Sequence, residues 1–460
     1  MIPDLSKSLA GQGKIRADPG TKKREDFFAC HYNAAVGINE RSLPVNENIA
    51  PAILERTSKS LLAAVFPMAG KVFREAASIL FQGMAATGNP LVKNLAGRLG
   101  NDKVLDKGRQ ERVSGWLGRY DFAGPIDRWL WDSALATVER NTVIALDGGD
   151  LSKEFGGKGM EGMEWGRDAS RDTVAMGHNL LAAAVVNAPR ARALCLQLLK
   201  GRKGLPKAER DLLTKMAKAT EGKGIVACDR GFDSREFLDH AAGLSIRTVI
   251  RIQQMGRDVF GTGRSIRTEL ESAPSCQTTL ASPTRRRKAV VRWREGLFPG
   301  FGGCYHPVLV VSSTFDGNTL CFYGTGFGPF ASPTERQKAA ELIANAYFCR
   351  WSVEVLCQDL KQAFGLEKTR VRTFKRLENL VALCVLAYAG LAHYLPVCAD
   401  SAKRLFKAMK ENLGAINLPF RSFVANLRNL LQMPSIRNIT GRPPKSKPPD
   451  LTLLLPGFPA

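Results

Sequence analysis

Four side chains that handle charge, protons or phosphate fall at helical spacing in the last third of the chain: Tyr347, Arg350, Glu354 and Lys361. Counted from the tyrosine, their offsets are 3, 7 and 14 residues. At roughly 100° per residue they fall near 0°, −60°, −20° and −40° on a helical wheel, a single stripe about 21 Å long. Leu342, Cys349, Val353, Leu356 and Leu360 form a separate apolar stripe roughly 120° away, with Trp351 and Val355 on the other flank. A helix this apolar packs on most sides, so its polar stripe is expected to line a cleft. A solvated face with a local Arg350–Glu354 ion pair would account for two of the four residues equally well.

Two aspartates upstream bear on that choice. Asp147 ends the β-rich run "NTVIALD" and Asp229 ends "GIVACD", and in α/β folds the C-terminal ends of strands are where functional side chains are presented. Taken alone, an aspartate there is often a turn former or a helix cap. Two of them, with a glutamate on a cleft-facing helix, form a set of hard oxygen ligands. Such a set suits a pair of Mg²⁺ ions, with Mn²⁺ a possible substitute, and leaves room for water and phosphate oxygens.

The set resembles the DDE transposases of bacterial insertion sequences, in the subgroup with the Tyr-Arg-Glu-Lys (YREK) signature. Tyr347, Arg350, Glu354 and Lys361 match that signature; "DGGDLSK" (147–153) resembles its first-Asp block and "DRGFD" (229–233) its second. "RWSVEVLCQDLKQAFGLEKTRVR" (350–372) is similar to the text around its glutamate. The resemblance runs from about 140 to 392 and leaves both ends of the chain uncovered. It implies an RNase H-like core with the two Asp-bearing strands side by side, and a β-rich insertion between the second Asp and the Glu helix. It implies that Asp147, Asp229 and Glu354 hold the metals, one ion activating water or a 3′-hydroxyl and the other stabilising the leaving oxygen. Arg350 and Lys361 would grip phosphates, and Tyr347 would donate a hydrogen bond to one. The implied activity is cut-and-paste DNA transposition: cleavage and strand transfer by a dimer on paired terminal inverted repeats, with target DNA as the further partner.

Other polar residues rank lower as ligands. Asp359 sits roughly 140° from Glu354 on the wheel, Asp150 reads as a solvated turn residue, and Asp233 with Glu236 reads as a capping box. His178 and His306 are expected in or beside strands. In "TRRRKAVVRWRE", Trp293 among arginines would suit stacking on a displaced DNA base; a strand-buried tryptophan with solvated arginines fits the same text.

The elements that must position these groups read as α/β. Residues 1–118 are mostly helical, as a DNA-end-binding domain or any small bundle would be. Residues 119–260 form the first part of the core: a strand to Asp147, turn-prone Gly148 and Gly149, paired runs "DTVAMGH" and "NLLAAAVV", helix from Pro189 to about Ala219, a strand to Asp229, a helix from Ser234, and the strand "LSIRTVIRIQ". Residues 261–332 alternate as antiparallel hairpins, with Asp316-Gly317 at a turn. Residues 333–398 carry the Glu helix, opened by Ser332-Pro333-Thr334-Glu335, and the helix after it. Residues 399–460 are helical and end in a Pro/Lys-rich tail.

Composition agrees with a nucleic-acid partner. Lys and Arg number 66 against 43 Asp and Glu, a net charge of +23, which attracts polyanions. The ten cysteines show no metal-binding spacing, and free thiols in a reducing cytoplasm account for them. The longest apolar run, Leu380–Ala392, has 13 residues, too few to cross a bilayer, and the chain opens without an apolar leader. A bacterial cytoplasmic protein, nucleoid-associated when on DNA, is expected. Two other readings are weighed: a decayed or domesticated transposase that binds DNA without cutting, and a metal nuclease or Holliday-junction enzyme, which the YREK set disfavours.

Overall fold

The computed structural model describes residues 50–97, 99, 105–152, 159–168, 173–187, 190–200, 204–394 and 420–432. The Pro/Lys-rich tail and the basic segment at the start lie outside the described residues. Five helices come first: α1 (Ala50–Val65), α2 (Lys71–Thr87), α3 (Val92–Ala96), α4 (Asp106–Arg119) and α5 (Ala123–Leu135). Four strands follow, β1 (Val143–Ser152), β2 (Glu164–Asp168), β3 (Thr173–Val186) and β4 (Arg192–Leu199). Helix and strand then alternate through α6 (Leu205–Ala219), β5 (Ile225–Cys228), α7 (Arg235–Ala242) and β6 (Arg247–Arg251). After α8 (Ile266–Glu271) come β7 (Ser275–Ala281), β8 (Arg286–Pro299), β9 (Tyr305–Phe315) and β10 (Asn318–Thr325). Three helices complete the described chain: α9 (Pro333–Ala363), α10 (Phe374–Ala389) and α11 (Phe420–Gln432).

The strands make one mixed sheet in the order β2-β3-β1-β5-β6-β10-β9-β8-β7, with β4 also on β3. The pairs β1–β5 and β5–β6 are parallel, and the others are antiparallel. Alternation divides each central strand between two cores. Val143 and Ala145 of β1 pack with α9, α10 and the N-terminal helices, while Ile144 and Leu146 pack with α6 and α7. The sheet is thus covered on both faces over β1, β5 and β6, which is why these strands read as unbroken apolar runs.

Helix α9 lies across the first of these faces. Its start follows from local chemistry: the Ser332 hydroxyl accepts from the Glu335 amide at 3.2 Å, the Glu335 carboxylate accepts from the Ala331 amide at 2.7 Å, and Pro333 needs no partner for its nitrogen. The α4–α5 junction is tied to α10 by Asn379, which is 1% exposed. Its carboxamide oxygen accepts from the Phe122 and Ala123 amides, and its nitrogen donates to the Leu117 and Tyr120 carbonyls.

Three sequence expectations are corrected. Residues 192–199 are strand β4 and not helix; a short apolar run fits either period, and pairing with β3 decides it. The two runs expected to pair with each other are one strand, β3. Gly148 and Gly149 do not turn: β3 offers β1 partners as far as Ser152, opposite Gly177, so Asp147 stands within β1. The antiparallel strands of 261–332 continue the core sheet, through the pairing of β10 with β6.

Candidate active site

Leu146 of β1 pairs with Cys228 of β5 in parallel register. Asp147 and Asp229 are the next residues on these neighbouring strands, so their backbones are about 5 Å apart. Asp229 has extended backbone (φ −78°, ψ 176°) before a short 3₁₀ turn, and its carboxylate does not cap that turn. It accepts instead from the Tyr347 hydroxyl of α9 at 3.0 Å. On the same helix, Arg350 reaches Asp147 at 3.4 Å with one nitrogen and bonds Glu354 with another. The structure therefore brings Asp147, Asp229, Tyr347, Arg350 and Glu354 into one cluster. The even choice between a cleft and a solvated ion pair resolves as both: the Arg350–Glu354 pair forms, but Arg350 is 5% exposed and also holds Asp147.

Arg251, at the end of β6, is the group that sequence reasoning missed. Its guanidinium lies 3.8 Å from Asp229 and keeps 32% side-chain exposure, against 6% for Arg350. The sequence signal was its place near the end of the apolar run that follows the Asp229 strand; the pairing that brings it to Asp229 is tertiary. Asp233 was misread as part of a capping box. Ser234 is the cap, while the Asp233 carboxylate, 5% exposed, accepts from the Gln253 and Gln254 amides and pairs with Arg257. It thereby ties the loop after Asp229 to the loop after Arg251.

Two expected residues stand apart from the cluster. Lys361 is two turns beyond Glu354 and pairs with Glu367 at 2.9 Å. Trp293 is 7% exposed and belongs to the core beneath α9, leaving no face for a base to stack on. Its period-2 position on β8 puts it on the inner side of the sheet. Asp359, doubted as a ligand, pairs with Arg421 of α11 at 2.7 Å, away from the cluster.

Burial dominates the electrostatics. It pushes the Asp147 carboxyl up to about 7, opposed by Arg350 and reinforced by Glu354 and Asp229. Burial also raises Glu354, against the pull of Arg350. For Arg350 burial works against the charge, but Tyr347 and the three carboxylates outweigh it and hold the guanidinium firmly protonated.

As the side chains stand, no group of three Asp, Glu, His or Cys among the described residues is drawn together closely enough to hold an ion. The Arg350 guanidinium sits between Asp147 and Glu354 and supplies the positive charge there. The donor set itself, three carboxylates reaching one cleft from two adjacent strands and a helix, fits a hard divalent cation. Rotation of Asp147 or Glu354 off Arg350 is what such an ion would require. All eight cysteines among the described residues are free thiols. No described helix is long and apolar enough to cross a membrane.

The family model described as "Transposase DDE domain" matches residues 141–389. That match takes in more than half of the chain, spans both aspartate strands and the Glu354 helix, and places the chain in that family. Among solved structures, a piggyBac transposase synaptic complex with hairpin DNA, determined by cryo-EM, is similar at 11% identity and a TM-score of 0.40, over 86% of this chain and 81% of that one. No curated protein matches the chain.

Proposed function

We propose that this chain is a metal-dependent transposase that cuts DNA at transposon ends and joins the freed ends to target DNA. The observation that carries the reading is the meeting of Asp147 and Asp229, at matching positions just past the last paired residues of adjacent parallel strands, with Glu354 through Arg350 and Tyr347. Membership in the transposase family supports it. The strand order β4-β3-β1-β5-β6, antiparallel on one side of β1 and parallel on the other, supports an RNase H-like core. The spacing of Tyr347, Arg350, Glu354 and Lys361 supports the YREK subgroup and an origin in a bacterial insertion sequence, hence a cytoplasmic protein that gathers on the nucleoid.

In this reading Asp147, Asp229 and Glu354 hold two divalent ions, Mg²⁺ in the cell. When bound, the ions lower the pKa of an attacking water or 3′-hydroxyl and neutralise charge on the leaving oxygen. The chain's own residues do the positioning. Tyr347 orients the Asp229 carboxylate, and Arg350 favours the charged forms of Asp147 and Glu354 against burial and sits between them; once either carboxylate turns away, a guanidinium edge faces a phosphate. Lys361 serves a different phosphate about 10 Å along the helix. The helices in 50–118 are proposed to bind the terminal repeats, and a dimer to bring two ends together.

The test incubates the protein with Mg²⁺ and DNA carrying the inverted repeats that flank its own coding region. End cleavage followed by joining is expected, and Asp229→Asn should remove both while leaving DNA binding intact. Cleavage without joining would favour a nuclease. Binding alone would favour a domesticated DNA-binding protein.

A further inference from the structure

From Lys288 to Arg294, β8 alternates its side chains between the two faces of the sheet. Ala289, Val291 and Trp293 are buried in the core under α9, so Arg286, Lys288, Arg292 and Arg294 take the opposite, outer face. Register extends that face across the neighbouring strands: Arg292 lies between Ser275 of β7 and Ser312 of β9, and Val290 between Gln277 and Thr314. Two adjoining depressions of about 460 and 360 Å³ occupy it and share Thr314 and Gly317. Lys288 and Asp316 line the first; Arg292, Arg267 of α8 and Glu271 line the second.

Two carboxylates at or beside the depressions are engaged by arginines that do not line them, Glu269 by Arg294 and Asp316 by Arg287. The cations in the depressions outnumber the acids, and hydroxyl donors lie between them. A sheet face turned to water is ordinary in antiparallel sheets; here three cations line the depressions against two acids, in a chain of net charge +23. Phe315 is the aromatic ring at these depressions, and it turns inward against Phe348, 6.0 Å away. With no ring presented to a base, the surface suits phosphates and not unstacked nucleotides.

The face also lies at the catalytic end of the sheet. Arg251, Phe322, Val311 and Trp293 form one cross-strand row. Lys288 is five residues farther along β8 toward the end where Asp147 and Asp229 emerge, about 17 Å. We propose that the open end of the outer face of β7–β10, around the two depressions and through Lys288, Arg292 and Arg267, is a sequence-independent docking surface for the backbone of duplex DNA, on the side of the sheet opposite the catalytic cleft. The choice of DNA as the polyanion rests on the transposase reading; the cationic surface does not.

The experiment uses the full chain in EDTA, a fluorescein-labelled duplex of about 30 base pairs and arbitrary sequence, and fluorescence anisotropy across a KCl series. A Lys288→Gln/Arg292→Gln double variant is compared with Lys207→Gln/Lys223→Gln, which removes two exposed lysines from around α6. The docking variant should bind roughly 10-fold more weakly near 0.1 M salt, with the slope of log K against log[KCl] shallower by about two. The control pair should leave the slope unchanged. An unchanged slope in the docking variant, an equal loss in the control, or a loss confined to a single-stranded version of the oligonucleotide would each overturn the surface. Circular dichroism confirms folding, and Arg292→Lys should recover most of the affinity, because a phosphate contact needs the charge and not the guanidinium fork. Cleavage by wild type in Mg²⁺ of DNA carrying the element's own inverted repeats is scored separately: its absence with a lowered slope sinks the transposase reading alone, and its presence with an unchanged slope sinks the surface alone.

Discussion

Asp147 carries an acid group in a place that disfavours its charge. Its carboxyl stands near 7 in the fold against 3.8 unfolded, so in metal-free protein it costs stability progressively as pH rises from about 4 to about 7. Asp147→Asn removes that cost without changing shape. In EDTA at pH 8 the variant should be about 1–3 kcal/mol more stable to urea than wild type, allowing for the partial solvent screening of the site, and the gain should shrink toward pH 5. It should also lose the rise in Tm that Mn²⁺ gives the wild type. A variant no more stable at pH 8 would mean that Arg350 already offsets the whole cost of burial. Arg350→Gln is the converse case. It leaves the half-buried Asp147 and Glu354 without their shared counter-ion, and should cost about 2–4 kcal/mol in EDTA, with part of the loss regained in Mn²⁺; equal losses with and without Mn²⁺ would argue that the guanidinium is not standing in for a metal charge.

At the scale of elements, the site depends on where β1 and α9 are held. α9 packs against β1, β3 and β5 and continues toward β7 and β8, so the cleft and the hairpin strands share one support. α10 is fixed to the α4–α5 junction by the four hydrogen bonds of Asn379. Asn379→Leu keeps the volume but strands two amides and two carbonyls in the interior. The expected loss is about 2–5 kcal/mol by chemical denaturation, larger than for a typical surface change. A loss below about 1 kcal/mol would show that water or local rearrangement satisfies those groups.

Across the whole molecule, the N-terminal helices and the catalytic sheet share a single hydrophobic core. Leu61, Phe81 and Met84 of α1 and α2 pack in the same cluster as Val353 of α9 and Leu380 of α10, and Gly390 lies where an added methyl group would meet Phe81 and Leu61 within 2.9 Å. The described chain is therefore expected to unfold in one transition by far-UV circular dichroism and tryptophan fluorescence. A chain beginning at residue 120 should lose that cooperativity; a truncated form unfolding as sharply as the full chain would show two independent units instead.

What the sequence determined by itself was chemical and local. Helical spacing put Tyr347, Arg350 and Glu354 on one stripe, apolar runs marked the strands leading to Asp147 and Asp229, and the Ser332–Glu335 cap opened α9. Each of these is set by residues within a few turns or strand positions of one another. Pairing and facing were left to the tertiary structure. Whether Gly148-Gly149 turned or ran on depended on a partner strand some thirty residues away, and "ALCLQLL" became β4 because β3 had a free edge. Trp293 turned inward and Lys288 and Arg292 outward because α9 covers one face of the sheet. Arg251 reached Asp229 only through the parallel pairing of β5 with β6. Such outcomes are fixed by contacts between segments far apart in the chain, and a local pattern carries no term for them.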